Sequence, residues 1–416
     1  MSVNSILYFD NNATTRLAEE AREAMLPFLG ELYGNPSSAH TFGGRAKAHI
    51  DRAREQVAAL LGADPEEILF TSGATESNNL ALFGVMEAQP KKRHLVTTQV
   101  EHPSVKNPAA HIERQPGAQV TWLDVDEEGR LDLEALRAAV RPGDTALVSI
   151  MAANNETGVV FPFEEAARIA KERGAIVHVD AVQAAGKIPI RLRDSAIDLL
   201  SISAHKFHGP KGVGALFVRR GTRLRARILG GHQERNRRGG TENVAGIAGM
   251  GAAAELARRR VEAGAESGRM TALRDRLERE ILARIPEARV NGGGAPRLPN
   301  TSNISFRYVQ GEAALLALDE LGICVSTGSA CATGQVEPSH VLRAMNVPYT
   351  YLIGSLRFSL SAYTADAEIT RLIEVLPDAI ARLRALSPFS GSTDEPAALQ
   401  AARAVNVLDS TPRLEK

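Results

Sequence analysis

The residues of this chain best suited to chemistry cluster in SAHKFHGPKG, residues 203–212, where Lys206 follows an apolar run and is flanked by Ser203, His205 and His208. At the end of a buried strand an ammonium loses hydration, which frees the amine for Schiff-base formation. Asp180 ends a second apolar run, AIVHVD, with Gln183 shortly after it. A carboxylate that keeps a pyridinium nitrogen protonated, together with a lysine for the aldehyde, is what pyridoxal phosphate (PLP) requires. Taken alone, Asp180 serves equally well as a helix N-cap. In FTSGATES a strand runs into Gly73, and Ala74 and Thr75 open a helix whose free N–H groups suit a phosphate dianion. Ser203 and His205 could complete that site. The loop is neither a Walker A nor a G-x-G-x-x-G sequence, so nucleotide readings lose ground, and an ordinary helix start fits it too. His102, in VEHPSV, follows a strand and suits ring stacking or proton transfer, or a simple turn. Asn154 and Asn155, in NNETG, read as strand-end polar groups or as turn formers.

The chain has two cysteines, Cys324 and Cys331. Cys324, in LGICVS, has the setting of a small buried hydrophobe. Cys331, in STGSACATG, lies among small and turn-forming residues, which predicts an accessible thiol on a flexible loop. A nucleophile that must swing onto a bound substrate needs such a setting. Two thiols are too few for a four-cysteine metal site, and their spacing matches no common zinc motif. They also cannot staple a chain of this size, which predicts a reducing, cytoplasmic setting.

These groups need a scaffold. ILFTSGATES, HLVTTQVEHP, QVTWLDVD, DTALVSIMAANNE, AIVHVDAVQ, DLLSISAHK and VGALFVRR are strand candidates, and helical patterns such as 132–140 and 162–174 lie between them. That alternation predicts an α/β domain over 16–260 around a mainly parallel sheet. A helical stretch at 246–285, a strand TSNISFRYV, a helix EAALLALDELG, a strand SLRFSLS and a final helix predict a smaller α+β domain over 261–388. Residues 1–15 are expected to join the small domain, and the polar stretch 389–416 to be a mobile tail. Lys and Arg total 49, as do Asp and Glu, so the net charge is zero and a dedicated nucleic-acid or membrane-surface binder is disfavoured. No apolar run reaches the ~20 residues of a membrane span, and MSVNSILYFDNNATT lacks the pattern of a signal peptide.

In combination, DNNATT (10–15), GNPSS (34–38), TSGATES (71–77), EHPSV (101–105), NNETG (154–158), HVDAVQ (178–183), SAHKFHGPKGVG (203–214), GGHQERNRRGGTEN (230–243) and STGSAC (326–331) resemble the cysteine desulfurases. These are PLP enzymes of fold type I in the class-V aminotransferase group. ATGQVEPSHVLRAM followed by RFSLS (357–361) is most similar to the nitrogen-fixation (NifS) type. The resemblance runs in order from about residue 8 to 388 and implies a large domain with a mainly parallel seven-stranded sheet. It implies that Lys206 binds PLP, that Asp180 pairs with the ring nitrogen and that Gln183 bonds the phenolic oxygen. It further implies that His102 stacks on the ring, that Asn155 lies near the phenolic oxygen and substrate, and that Ala74, Thr75, Ser203 and His205 hold the phosphate. Thr241 would reach the phosphate of the other subunit of a homodimer. Arg357, helped by Asn35, would bind the carboxylate of L-cysteine, and Cys331 would take the sulfur as a persulfide while L-alanine leaves. An iron–sulfur scaffold would receive the sulfur, with nitrogenase as the mildly favoured destination and Cys331 as a transient cluster ligand. Thr327 and Ala332 stand where the family more often has a serine and a threonine.

Three other readings are open at this level. A selenocysteine lyase or an aminotransferase would share Lys206 and Asp180. A sulfur or metal carrier would need Cys331 but no PLP. A nucleic-acid or scaffold-binding module would use Arg223, Arg225 and Arg227, or Arg235, Arg237 and Arg238, which suit surface and interface charges as well.

Overall fold

The computed structural model describes residues 6–327 and 338–387. Strand β1 (Leu7–Tyr8) precedes the strands of the large sheet, which are β2 (Ile68–Thr71), β3 (His94–Thr98), β4 (Gln119–Leu123), β5 (Thr145–Met151), β6 (Ile176–Asp180), β7 (Leu199–Ser203) and β8 (Gly214–Val218). Their order is β2-β8-β7-β6-β5-β3-β4, and every pairing is parallel except the two made by β8. The expected mainly parallel seven-stranded sheet is therefore present. All seven strand candidates became its strands.

The sheet is buried on both faces, which is why its strands read as unbroken apolar runs rather than alternating ones. Neighbouring residues still part to opposite sides with the period of two that a strand imposes. Leu95, Leu147, Leu199 and Leu216 enter one core cluster, and Val96, Val148, Leu200 and Phe217 enter the other. Within the sheet, His178 is a satisfied core residue. Its ring bridges Ser149 Oγ at 2.8 Å and Ser201 Oγ at 2.9 Å, linking β5, β6 and β7, and burial depresses its pKa to about 3.

A third cluster surrounds β9 (Ala288–Val290), β10 (Thr301–Phe306), β11 (Ile323–Cys324) and β12 (Ser355–Ser359). The antiparallel order is β12-β10-β9, and β1 pairs with β11, bringing Phe9 into this core. Val341, Leu342 and Met345 belong instead to the core of the large sheet. Val325, just after β11, is in the core of the small sheet, whereas Val341, Leu342 and Met345 pack in the other. The helical stretch at 246–285 is two helices, Val244–Ala263 and Ala265–Arg284, broken at Gly264, whose φ of +68° is left-handed.

A buried ion pair helps to hold the segment 230–243. Arg54 donates to Glu234 through both terminal nitrogens, at 2.9 and 2.8 Å, and the Phe70 N–H donates to the same carboxylate at 3.0 Å. Glu234, Arg235 and Asn236 all have positive φ, a conformation that costs a non-glycine residue roughly 1–2 kcal/mol. The buried carboxylate offsets that cost by fastening the segment to β2. Glu234→Gln leaves the Arg54 charge without its partner and is expected to destabilise the fold by about 3 kcal/mol, read as a lower urea midpoint.

Candidate active site

The strand ends position the chemistry. Gly73 follows β2, His102 follows β3, Asn155 follows β5, Asp180 ends β6 and Lys206 follows β7. All are at carboxyl ends of parallel strands, where open α/β sheets form their ligand crevice. A cavity of about 970 Å³ opens there. Ala74, Thr75, His102, Asn155, Asp180, Gln183, Ser203, His205, Lys206 and Arg357 all line it. Asn35 and Thr241 do not; both are exposed elsewhere on the chain. Cys331 lies outside the described residues, as do residues 388–416, but Ser326 and Pro338, on either side of the Cys331 segment, line the cavity.

Lys206 Nζ donates to the carbonyls of Asn12 at 2.5 Å and Ala13 at 2.8 Å. Burial, and then the Arg357 guanidinium, lower its pKa from 10.5 to about 8. Uncharged amine is therefore available near neutral pH, as a Schiff-base lysine requires. The capture of added PLP by cofactor-free protein is expected to accelerate with pH through a midpoint near 8 rather than above 10, followed by stopped-flow absorbance.

Asp180 is buried, and its orientation is fixed. Asn78 Nδ2 donates to one oxygen at 2.7 Å and the Val182 N–H to the other at 3.0 Å. The N-cap role open to it from sequence is thus absent, because no helix starts there. That role falls to His102, whose Nδ1 accepts from the Ser104 N–H at 3.1 Å at the start of helix Pro103–Glu113. Burial lowers the His102 pKa, and the charge of Lys206 adds to this against the pull of Asp180. The neutral form of the ring is favoured. Its neighbour Glu101 is fully buried, and burial followed by the charge of Asp180 pushes its pKa up to about 8.

Gly73 has φ +150° and ψ 178°, a conformation close to glycine-only, and leads directly into helix Ala74–Ala88. Gly214 permits the approach, since a Cβ there would meet Gly73 Cα at 2.7 Å. The helix N-terminus therefore faces the cavity beside Ser203 and His205. His205 is hydrogen-bonded to Thr14 Oγ1 at 3.1 Å, and burial lowers its pKa to about 4. At the other end, Arg357 donates to Asp10 at 2.7 Å and to the Asn155 carbonyl at 3.1 Å, while its buried Nε has no partner. A dianion-binding helix end, a ring-nitrogen carboxylate, a depressed lysine and an arginine with spare donor capacity share one cavity. Those residues fit PLP carrying an amino acid.

Sequence reasoning missed Asn12. Its backbone N–H donates to Ser359 Oγ at 2.9 Å, and its side chain donates to the Asn155 carbonyl at 3.0 Å and Thr301 Oγ1 at 2.9 Å. Its carbonyl accepts from both Lys206 and Gln183. Only its place beside Asp10 in DNNATT marked it. The arginine runs proved structural in part: Arg227 pairs with Glu87, Arg238 with Glu76 at 2.7 Å, and Arg235 caps the Ile68 carbonyl at 2.6 Å. Among the described residues there is no helix long and apolar enough to cross a membrane, and no His, Cys, Asp and Glu cluster that could hold a metal ion.

Residues 7–372 match the family model described as Aminotransferase class-V. A cysteine desulfurase of Trichormus azollae is 58% identical over 397 residues, covering 95% of this chain and 98% of that one. A solved structure titled NIFS-like protein superposes with a TM-score of 0.84 at 41% identity, over 91% of this chain and all of the other. Another, titled SspA in complex with cysteine, gives 0.76 at 35% identity over 86% of this chain and 100% of that one. The chain belongs to the class-V aminotransferase family of PLP enzymes, among the cysteine desulfurases of the NifS type.

Proposed function

We propose that this protein is a PLP-dependent cysteine desulfurase that converts L-cysteine to L-alanine and holds the sulfur as a persulfide on Cys331. The observation that carries the reading is the single cavity in which Lys206, Asp180, Arg357 and the helix start at Ala74 face one another. Bound PLP supplies an electron sink for the carbon skeleton of the substrate. Asp180 keeps a proton on the ring nitrogen, and Gln183 and Asn155 serve the phenolic oxygen. Ala74, Thr75, Ser203 and His205 would bind the phosphate, and the His102 ring would stack on the pyridine. Arg357 takes the substrate carboxylate, which orients the Cα–H bond toward the Lys206 amine. That amine moves the proton. Cys331 as thiolate would attack the substrate sulfur, so that the Sγ–S bond forms as the Cβ–S bond breaks; the bonding pair stays with the carbon skeleton, and Cβ takes a proton on the way to alanine. Its chain neighbours Ser326 and Pro338 at the cavity wall support this role.

Further parts of the reading concern organisation and partners. The separate cores around β7 and β10 support a large domain over 16–260 and a small one over 261–388, joined by residues 1–15 through β1. Exposed Leu26, Leu29, Tyr33, Ile228 and Leu229 support a homodimer in which Thr241 serves the partner's phosphate site. An iron–sulfur scaffold is the proposed sulfur acceptor, nitrogenase maturation the proposed destination, and the cytoplasm the proposed compartment. Purified enzyme given L-cysteine and a thiol reductant should release alanine and sulfide in equal amounts. Release of pyruvate, or turnover of selenocysteine alone, would contradict the reading.

A further inference from the structure

Lys187 is buried on the turn that follows Gln183, and its side chain does not line the cofactor cavity. Its Nζ donates to Gln183 Oε1 at 2.9 Å. The Gln183 Nε2 on the far side of that amide donates to the Asn12 carbonyl at 3.0 Å, the same oxygen that accepts from Lys206 Nζ. The sense of the amide follows from its neighbours. Reversed, its NH2 group would face the Lys187 amine and its oxygen would face the Asn12 carbonyl, donor against donor and acceptor against acceptor. Gly186 has φ +75°, and a Cβ there would meet Phe207 Cβ at 2.9 Å. The Lys187 carbonyl also accepts from Ser267 Oγ at 3.3 Å, tying the turn to helix Ala265–Arg284. Burial, then the charges of Lys206 and Arg357, lower the Lys187 pKa to about 7, so the amine is retained here against an electrostatic cost.

We propose that Lys187 is a positioning residue that fixes the Gln183 amide with its NH2 group turned toward the cofactor. This rests on the reading that PLP occupies the cavity with its phenolic oxygen beside Gln183. An N–H donor aimed at that oxygen lowers its basicity, and with it the pH at which the lysine-bound cofactor changes its visible band. Without Lys187 the amide oxygen loses its donor and only the Asn12 carbonyl opposes reversal, so the NH2 group is held less firmly toward the cofactor and that midpoint rises.

The test is a spectrophotometric pH titration of PLP-loaded enzyme. Lys187→Met is expected to raise the midpoint by about half a pH unit or more, and Gln183→Leu to raise it likewise. The double variant leaves neither partner unpaired, so it remains available if the single Lys187 variant does not fold. It is expected to titrate as Gln183→Leu does, because Lys187 acts through the amide. A wild-type midpoint in Lys187→Met, or a further shift in the double variant, would overturn the proposal. Wild-type protein without a lysine-bound PLP band would overturn the cofactor reading itself, a result distinct from either.

Discussion

Cys331→Ala is expected to abolish desulfuration while leaving the cofactor in place. The variant should keep the visible PLP band and its change on adding L-cysteine, since Lys206, Asp180, Arg357 and the helix start at Ala74 are untouched. Alanine and sulfide release should fall about 1,000-fold or more, the usual cost of deleting a nucleophile. The split between preserved binding and lost turnover is the informative part. If Cys331 only packed against its surroundings, its loss would weaken both together. Wild-type turnover in this variant would end the assignment. Cys324 offers the contrast. It sits on β11 paired to Tyr8, and burial raises its thiol pKa, so Cys324→Ala should leave turnover near the wild-type rate.

Lys206→Ala is expected to eliminate the lysine-bound absorbance and to lower turnover by about 100- to 10,000-fold. The loss should not be one of folding. Because the folded pKa of Lys206 is depressed to about 8 from 10.5, the unfolded chain binds more protons between those values. The stability of the wild-type cofactor-free protein therefore gains a rising contribution with pH across that window, and below it the buried ammonium is a standing cost. Lys206→Ala lacks both features. Cofactor-free variant at pH 7 should melt no lower than wild type, and its melting temperature should not share the rise between pH 8 and 10. A native PLP spectrum in the variant would refute the role of Lys206.

Much of this arrangement is local enough to read along the chain. Apolar runs ending in Asp180 and preceding Lys206 mark strand ends, and a strand end in a parallel sheet is where a crevice forms. The cavity joining His102, Asp180 and Lys206 required the crossover order β7-β6-β5-β3, and Arg357 reaches it from β12 of the second sheet, which no one stretch of sequence encodes. Helix Thr41–Leu61 was not legible, because its pattern is interrupted by Gly43 and Gly44 and diluted by charge; its burial comes from packing on helix Val244–Ala263. The antiparallel sense of β8 was equally hidden, since β8 is as uniformly apolar as its parallel neighbours. Asn12 and Lys187 escaped notice for a different reason. Each acts through hydrogen bonds to a residue distant in sequence or to another side chain, and Asn12, though within DNNATT, contributes through its backbone carbonyl, which residue type does not reveal.

The central claim is that sulfur leaves L-cysteine by transfer to Cys331. Mass spectrometry of the intact enzyme after one turnover with L-cysteine, without reductant, tests it most directly. The account predicts a gain of one sulfur atom that maps to the peptide containing Cys331, matched by one alanine per active site and reversed by a thiol reductant. Alanine formed in that amount with no added sulfur on Cys331, or with the sulfur on Cys324, would contradict it.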